Sequence, residues 1–335
     1  MNPPNRIDIH AHFFPLLRRS DVAWAGWAEA PWLQIERDGQ SGHIMRGDQA
    51  FRPVTAELWD ARHRVAAMDA QGIALQLISA TPVMWADALP PGVAAEWALR
   101  MNEAALAFCA AAPRRLKALA QVPLQDLTAA CCEANRAMAS GCVGVQIGNH
   151  LGERDLDSPH MLAFLRHCAE QGFPVLVHPW DMLAPERMQG WMLPWLVGMP
   201  AETHLSMLRL ILSGGFERLP NDLRLCFAHG GGSFAALLGR ADNAWHRRDI
   251  VRADCPHPPS HYLQRFHVDS CVFDPRVLRL LVDVMGAERI MLGSDHPFPL
   301  GEAPIGEVVE ATPGLTPAER ESILGGNAQR FFGLA

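Results

Sequence analysis

The sequence is poor in positive charge and contains almost no lysine. Its 335 residues include 29 Lys and Arg against 36 Asp and Glu, for a formal net charge of −7, and Lys117 is the only lysine. Nucleic acids and anionic membranes bind surfaces rich in basic residues, so neither is an expected partner. No run of about 18 apolar residues occurs, so no membrane-spanning helix is predicted.

The eight cysteines form no C-x-x-C pair, and several lie within apolar helix or strand patterns. This spacing favours buried, reduced thiols over a disulfide framework or a cysteine metal site. The first residues lack a basic segment followed by a long apolar one, so no secretory signal is predicted. We therefore expect a cytoplasmic protein.

Short apolar runs alternate with amphipathic helical patterns along the chain. Each run is apolar on both faces, as in strands that are buried on both sides. Eight such strand-then-helix units predict a TIM-type (β/α)8 barrel that spans residues 1–335 as one domain. A doubly wound open sheet is the alternative, but no G-x-G-x-x-G follows the first run. The predicted strands are 6–13, 74–82, 116–124, 144–150, 173–180, 223–230, 266–272 and 290–297.

Two segments interrupt this alternation. Residues 14–58, rich in Trp, Gly and Arg, follow the first predicted strand. They are predicted to form a small inserted subdomain over one end of the barrel. Residues 182–200 follow the fifth predicted strand and carry several Trp and Met side chains. This second segment is interpreted equally well as an apolar packing or subunit contact and as a wall of the active site.

Polar side chains lie at the carboxyl ends of four predicted strands, where a barrel gathers its catalytic groups. Strand one contains His10 and His12, which share a face because strand side chains alternate. Strands five, six and eight end near His178, His229 and Asp295. Imidazoles with one carboxylate are a ligand set for Zn²⁺ or a similar divalent ion. The sequence therefore predicts a metal centre at this end of the barrel.

This arrangement resembles the amidohydrolase superfamily, and within it the decarboxylases, over the full chain. The resemblance is carried by residues 7–15, 149–152, 178–181, 191–195 and 229–234. Superfamily members with two metals bridge them through a carbamylated lysine at the end of strand four. Here that strand ends at Asn149 and His150, while Lys117 lies near the start of strand three, so a single-metal site is expected. One departure is His296, at a position where the family motif usually has tyrosine.

The resemblance implies a zinc-dependent decarboxylase of an unsaturated dicarboxylic acid that needs no organic cofactor. It implies that His10, His12, His178 and Asp295 bind one Zn²⁺ per subunit. His229 is implied to be the general acid/base, and Asp295 also counts among the catalytic residues. The implied substrate-binding residues are Arg52, Arg240, Trp191 and Phe298, with Arg240 supplied by the partner subunit of a homodimer.

Several alternative functions remain open. The substrate could be a related carboxylated phenol, or the site could hydrolyse a lactone or amide, as other superfamily members do. Release of CO₂ distinguishes decarboxylation from hydrolysis, which releases an acid without gas. The run of residues 229–232, His-Gly-Gly-Gly, imitates an esterase oxyanion hole, but the sequence has no G-x-S-x-G. A closed, non-catalytic metal site is disfavoured by the base and arginines expected beside it.

Overall fold

Eight parallel strands, in sequence order, form one sheet in the computed structural model, which describes residues 6–334. The sheet closes between its first and last strands, so the predicted (β/α)8 barrel is confirmed and the open sheet is excluded. The barrel strands are β1 Arg6–Phe13, β2 Ile73–Ala80, β3 Leu116–Ala120, β4 Gly144–Gly148, β5 Val175–His178, β6 Leu225–Phe227, β7 His267–Asp269 and β8 Ile290–Met291.

The closure lies beside the predicted ligands. The backbone N–H of Asp295 donates to the carbonyl of His10 at 2.8 Å, and that of His12 donates to the carbonyl of His296 at 2.8 Å. Several predicted strands were too long because their last residues lie beyond the strand in tight turns. His229 and Asp295 adopt left-handed backbone, with φ of 55° and 62°, which ends the extended conformation.

Helices cover the outside of the barrel. Many begin at a side chain that accepts a hydrogen bond from the first turn, such as Asp126, Ser158 and Asp274. No described helix combines the length and apolar character needed to cross a bilayer. The longer helices between barrel strands are α1 Ala61–Gln71, α2 Pro91–Ala110, α3 Leu127–Ala139, α4 Pro159–Gln171, α5 Met199–Leu212, α6 Phe234–Arg247 and α7 Pro275–Met285, and Glu307–Ala311, Pro317–Glu321 and Asn327–Phe332 follow β8. Two single-turn helices, Arg19–Val22 and Gly215–Arg218, lie in the connections after β1 and β5.

Residues 14–58 form a small subdomain after β1. Three antiparallel strands, Pro31–Ile35, Ser41–Arg46 and Gln49–Thr55, make up its sheet. The two ends of the insert meet where the N–H of Phe14 donates to the carbonyl of Leu58 at 3.0 Å. The insert therefore begins and ends at the same place on the barrel.

The two ends of the barrel interior differ in polarity. Apolar side chains from the strands, among them Ile7, Leu176 and Met291, pack against Phe331 and Phe332 of the C-terminal helix. The carboxyl ends of the strands instead carry buried polar groups, including His10, His12 and His178. All eight cysteines are free. The chemistry is thus confined to the end of the barrel opposite the C-terminal helix.

Candidate metal centre

Four histidines and one aspartate meet at the carboxyl end of the barrel. The ring centre of His10 lies 5.2 Å from that of His12, 5.0 Å from that of His178 and 5.0 Å from that of His229. Oδ1 of Asp295 lies 3.0 Å from Nε2 of His12 and 3.6 Å from Nε2 of His10. Every metal and acid/base residue predicted from the sequence therefore lies in one cluster.

Three of the histidines have one ring nitrogen engaged and the other free. Nδ1 of His10 lies 2.6 Å from Oδ2 of Asp269, and Nδ1 of His178 lies 3.0 Å from a backbone carbonyl. Nδ1 of His12 lies 3.4 Å from the hydroxyl of Ser79. The Nε2 atoms of all three are buried and have no hydrogen-bond partner. An N–H held at Nδ1 leaves the Nε2 lone pair free, which is the form that binds a metal.

Burial keeps two of these rings neutral. It lowers the pKa of His12 to about 4 and holds the pKa of His178 well below its usual value, since a charged ring would lose its water. The pKa of Asp295 is also held well below its usual value: burial opposes its charge, but the nearby side chains of His12 and His229 outweigh that effect. Neutral imidazoles beside an ionised carboxylate are the donor set expected of a divalent-metal site. The residues present therefore fit one metal ion.

His229 differs from the other three histidines. Its Nδ1 is buried without a partner, and its Nε2 lies 3.9 Å from Oδ2 of Asp295. One potential ligand atom from each of His10, His178, His229 and Asp295 lies within 4.8 Å of all the others. Geometry alone thus admits His229 as a ligand as well as a base.

Asp269, at the end of β7, is a site residue that the sequence analysis missed. Its carboxylate bonds Nδ1 of His10 and also accepts the backbone N–H of Gly230 at 2.8 Å. The hydrogen bond from His10 lowers the pKa of Asp269 against the effect of its complete burial. The only available signal was its position at a strand end. Asp269 couples the orientation of His10 to the backbone that follows His229.

Arg52 reaches this cluster from the insert. Its guanidinium carbon lies 4.5 Å from the ring centre of Phe298, 5.3 Å from that of Trp195 and 5.4 Å from that of Phe51. The cavity beside it is also lined by His12 and Asp295. Burial lowers the pKa of Arg52, and the charge of Asp295 partly offsets that effect. Among residues 6–334, no carboxylate pairs with this guanidinium within 4.0 Å, so its N–H groups are available to an anion.

Phe298 and Trp195 form the aromatic side of the site, whereas Trp191 does not. The ring centre of Phe298 lies 5.4 Å from that of His12. A neighbouring cavity of 190 Å³ opens beside His229 and is lined in part by Trp195. Trp191 is 86% exposed, because the loop turns it outward at a left-handed backbone position, φ 46°. The expectation that Trp191 lines the pocket is therefore corrected in favour of Trp195.

Two other predicted features lie apart from the cluster. Arg240 is exposed on α6 and is not among the residues that line these cavities. His296, the departure from the family motif, is buried, and its Nε2 lies 2.9 Å from Oε2 of Glu57. This contact ties the end of the insert to the segment that carries Asp295.

Comparisons with known proteins agree with this geometry. Residues 7–334 match the family model described as Amidohydrolase. The chain belongs to the amidohydrolase family. It is 34% identical to 2-amino-3-carboxymuconate-6-semialdehyde decarboxylase of Dictyostelium discoideum over 98% of this chain and 92% of that protein. It is 29% identical to the enzyme of the same name from Caenorhabditis elegans, over 98% and 94%.

A solved structure extends the comparison. The chain is 25% identical to 2,6-dihydroxybenzoate decarboxylase from Rhizobium, with a TM-score of 0.76 over 98% of this chain and 99% of that one. The predicted family membership is confirmed. Because the full-length relatives are decarboxylases, the predicted enzyme class, a metal-dependent decarboxylase, is confirmed as well.

Proposed function

We propose that the protein converts 2-amino-3-carboxymuconate 6-semialdehyde to 2-aminomuconate 6-semialdehyde and CO₂, with one bound Zn²⁺ and no organic cofactor. This reaction would place it in the kynurenine route of tryptophan catabolism. The full-length similarity to two enzymes of that name supports the substrate. The observation that carries the proposal is Arg52, whose guanidinium lies beside the histidine cluster in an aromatic enclosure and has no carboxylate partner among residues 6–334. Such a group suits a carboxylated substrate.

We assign His10, His12, His178 and Asp295 as the ligands of the metal. Three imidazoles and a carboxylate favour Zn²⁺ over harder ions, which prefer oxygen ligands. When bound, the ion would supply Lewis acidity and lower the pKa of a coordinated water to about 7. Asp295 keeps its charge at neutral pH, so it can offset part of the charge of the ion.

In the reaction, the bond between a substrate carbon and its carboxyl group breaks. Its electron pair stays on that carbon, CO₂ leaves, and a proton takes the place of the carboxyl group. We assign the proton transfer to His229, because its Nδ1 has no fixed partner and its side chain is 13% exposed beside the cavity. Arg52 would hold a carboxylate of the substrate. Phe298 and Trp195 would exclude water from it.

A substitution at His229 separates its two candidate roles. If His229 is the acid/base, His229→Asn keeps the metal and loses most of kcat. Loss of the metal in that variant would instead make His229 a ligand. Metal content is measured by plasma mass spectrometry on the same protein that is assayed for turnover.

We further propose a homodimer in which Arg240 of one subunit reaches the substrate of the other. Arg240 is exposed on α6, and Leu237, one turn earlier, is 42% exposed. The loop after β5 adds exposed apolar side chains, including Trp191 at 86% and Val197 at 53%. Apolar surface of this kind is typical of subunit contacts. The loop would then serve both as a wall of the site, through Trp195, and as a contact surface.

Generating the substrate in solution and following its absorbance together with CO₂ tests the proposed reaction. We expect loss of the absorbance band with one CO₂ per substrate, abolished by a chelator and restored by Zn²⁺. A carboxylated phenol such as 2,6-dihydroxybenzoate is the second candidate, favoured by the similarity to the Rhizobium enzyme. CO₂ released from the phenol and not from the semialdehyde would contradict the proposed substrate. Acid released without CO₂ would contradict decarboxylation.

A further inference from the structure

His150 has an unusual hydrogen-bond environment near the metal centre. It follows β4, and its Nδ1 lies 2.8 Å from the carbonyl oxygen of Gly152. Its Nε2 lies 3.0 Å from the carbonyl oxygen of Asp181. A carbonyl oxygen can only accept a hydrogen bond, so both contacts are satisfied only when both ring nitrogens carry a proton. The geometry therefore favours the imidazolium form of His150.

A buried carboxylate lies beside this ring. Oε1 of Glu202, on α5, is 3.8 Å from Nε2 of His150, and its side chain is 3% exposed. The other oxygen, Oε2, accepts the backbone N–H of Leu183 at 3.1 Å. His150 and Glu202 thus hold the chain at two nearby points, Asp181 and Leu183. Both points lie just after the predicted ligand His178.

The remaining charges around His150 are acidic. Burial opposes its charge, but the Asp181 carbonyl and the Glu202 carboxylate outweigh that effect and raise the pKa of His150. Burial also raises the pKa of Glu202, while the charge of His150 and the N–H of Leu183 act against this. The titratable groups that face the pair from the neighbouring segments are Asp87, Asp155 and Asp181, and Asp155 is itself paired with Arg209 on α5 at 2.9 Å.

The held segment leads into the wall of the substrate pocket. Asp181 and Ala184 have left-handed backbone, with φ of 56° and 48°, a conformation that costs free energy in residues other than glycine. Met182, between the two held points, packs closely on Gly198: a Cβ added there would lie 2.8 Å from Cβ of Met182. Gly198 ends the helical turn Pro194–Gly198, which carries Trp195. A contact path thus joins the held segment to the aromatic ring beside Arg52.

We propose that His150, as an imidazolium, and Glu202 are positioning residues that clamp residues 181–183 and thereby hold Trp195 against the substrate pocket. The inference deepens the proposed function, because its effect on KM is measured with the proposed substrate. Neither residue needs to contact the substrate. Deprotonation of His150 removes one of its two donors, so the clamp weakens as pH rises through the pKa of His150.

Hydrogen exchange of residues 179–200, measured by mass spectrometry, tests the clamp without substrate. His150→Gln and Glu202→Gln are each expected to speed exchange of the Leu183 amide and its neighbours about 10- to 100-fold, as loss of a charge-assisted hydrogen bond implies. His63→Gln is the matched control, since His63 also faces a carboxylate, Asp60 at 3.4 Å, but on the surface. In the wild type, protection beyond the chemical rate should fall as pH rises above the ordinary pKa of histidine, because the pKa of His150 is raised. That fall should shift to lower pH in Glu202→Gln and vanish in His150→Gln.

The kinetic arm distinguishes failure of the clamp from failure of the proposed function. With the semialdehyde substrate, both variants should raise KM more than they lower kcat, and the rise in wild-type KM with pH should be absent in His150→Gln. Unchanged exchange in Glu202→Gln, or wild-type protection that does not vary with pH, would overturn the clamp whatever the activity. Loss of protection in the variants, together with no CO₂ release from the semialdehyde by the wild type, would support the clamp and refute the proposed substrate.

Discussion

Whether the histidine cluster can bind a metal depends on which nitrogen of each ring is free. In each of the three predicted imidazole ligands an acceptor engages Nδ1, which leaves Nε2 free. Asp269 provides the shortest of these contacts, 2.6 Å to His10. Such supporting hydrogen bonds usually change metal affinity by about 10- to 100-fold. The carboxylate of Asp269 is therefore expected to matter although it is not a ligand.

We predict that Asp269→Asn weakens Zn²⁺ binding about 10- to 100-fold, because an amide cannot replace the carboxylate charge beside His10. Competition with a chromogenic chelator measures the affinity. Asp283→Asn is the matched control, since Asp283 pairs with Arg279 on the exposed side of α7. Equal affinities in the two variants would contradict the role given to Asp269.

Arg52→Ala should impair substrate binding and spare the metal. A charge-assisted contact to a carboxylate is worth about 1.5–3 kcal/mol, which corresponds to about a 10- to 150-fold loss in kcat/KM. Arg52→Lys should recover part of this loss, because it restores the charge but not the planar fork. Unaltered kinetics in Arg52→Ala, with normal metal content, would remove Arg52 from the substrate site.

The residues of the cluster could be predicted from the sequence, but the side chains that support and enclose the cluster could not. His10 and His12 share a face by strand alternation, and barrel closure brings His178, His229 and Asp295 to them. Asp269 belongs to no motif, and its role depends on the approach of β7 to β1 in three dimensions. Trp191 and Trp195 lie four residues apart in one loop. Only the backbone conformation of that loop decides which ring faces the site.

At the scale of elements, the site is built from turns that end the barrel strands. After β6 the chain turns sharply through His229 and Gly230, both with positive φ. A Cβ at Gly230 would overlap Cγ1 of Val272, and the φ of 61° also disfavours a side chain. The position of the His229 ring therefore depends on a residue without a side chain.

Gly230→Ala is expected to lower kcat at least about 10-fold and to reduce stability, because Val272 and the His229 turn must shift. Gly92→Ala is the control: Gly92 lies near the start of α2, and a Cβ there meets nothing within 4 Å. Steady-state kinetics and thermal unfolding measure both effects. Wild-type kcat in Gly230→Ala would show that the turn can move without displacing the base.

The alternation of apolar runs was sufficient to predict the elements but not where each one stops. Helix α7, Pro275–Met285, has boundaries that its flanking residues explain, since Asp274 caps its start and Gly286 follows its end. In contrast, β8 ends at Met291, whereas the predicted strand continues to residue 297. Residues 292–297, Leu-Gly-Ser-Asp-His-Pro, instead form a largely buried turn that carries Asp295.

For the whole molecule, the proposed homodimer predicts that one active site draws on two chains. Arg240→Ala and His229→Asn should each be nearly inactive alone. A mixed dimer of the two variants would contain one complete site and one site that lacks both residues. Random reassembly of equal amounts makes about half of the dimers mixed, so activity should return to about a quarter of all sites. Sedimentation verifies that mixed dimers form. No recovery in verified mixed dimers would contradict the exchange of Arg240.

The most direct test of the account is the metal content of the purified protein, measured together with its CO₂ release. The account predicts one divalent ion per chain in the wild type and little or none in His178→Ala. Chelation should abolish CO₂ release, and added Zn²⁺ should restore it to the wild type but not to the variant. A wild-type preparation that is fully active and free of metal would contradict the central claim.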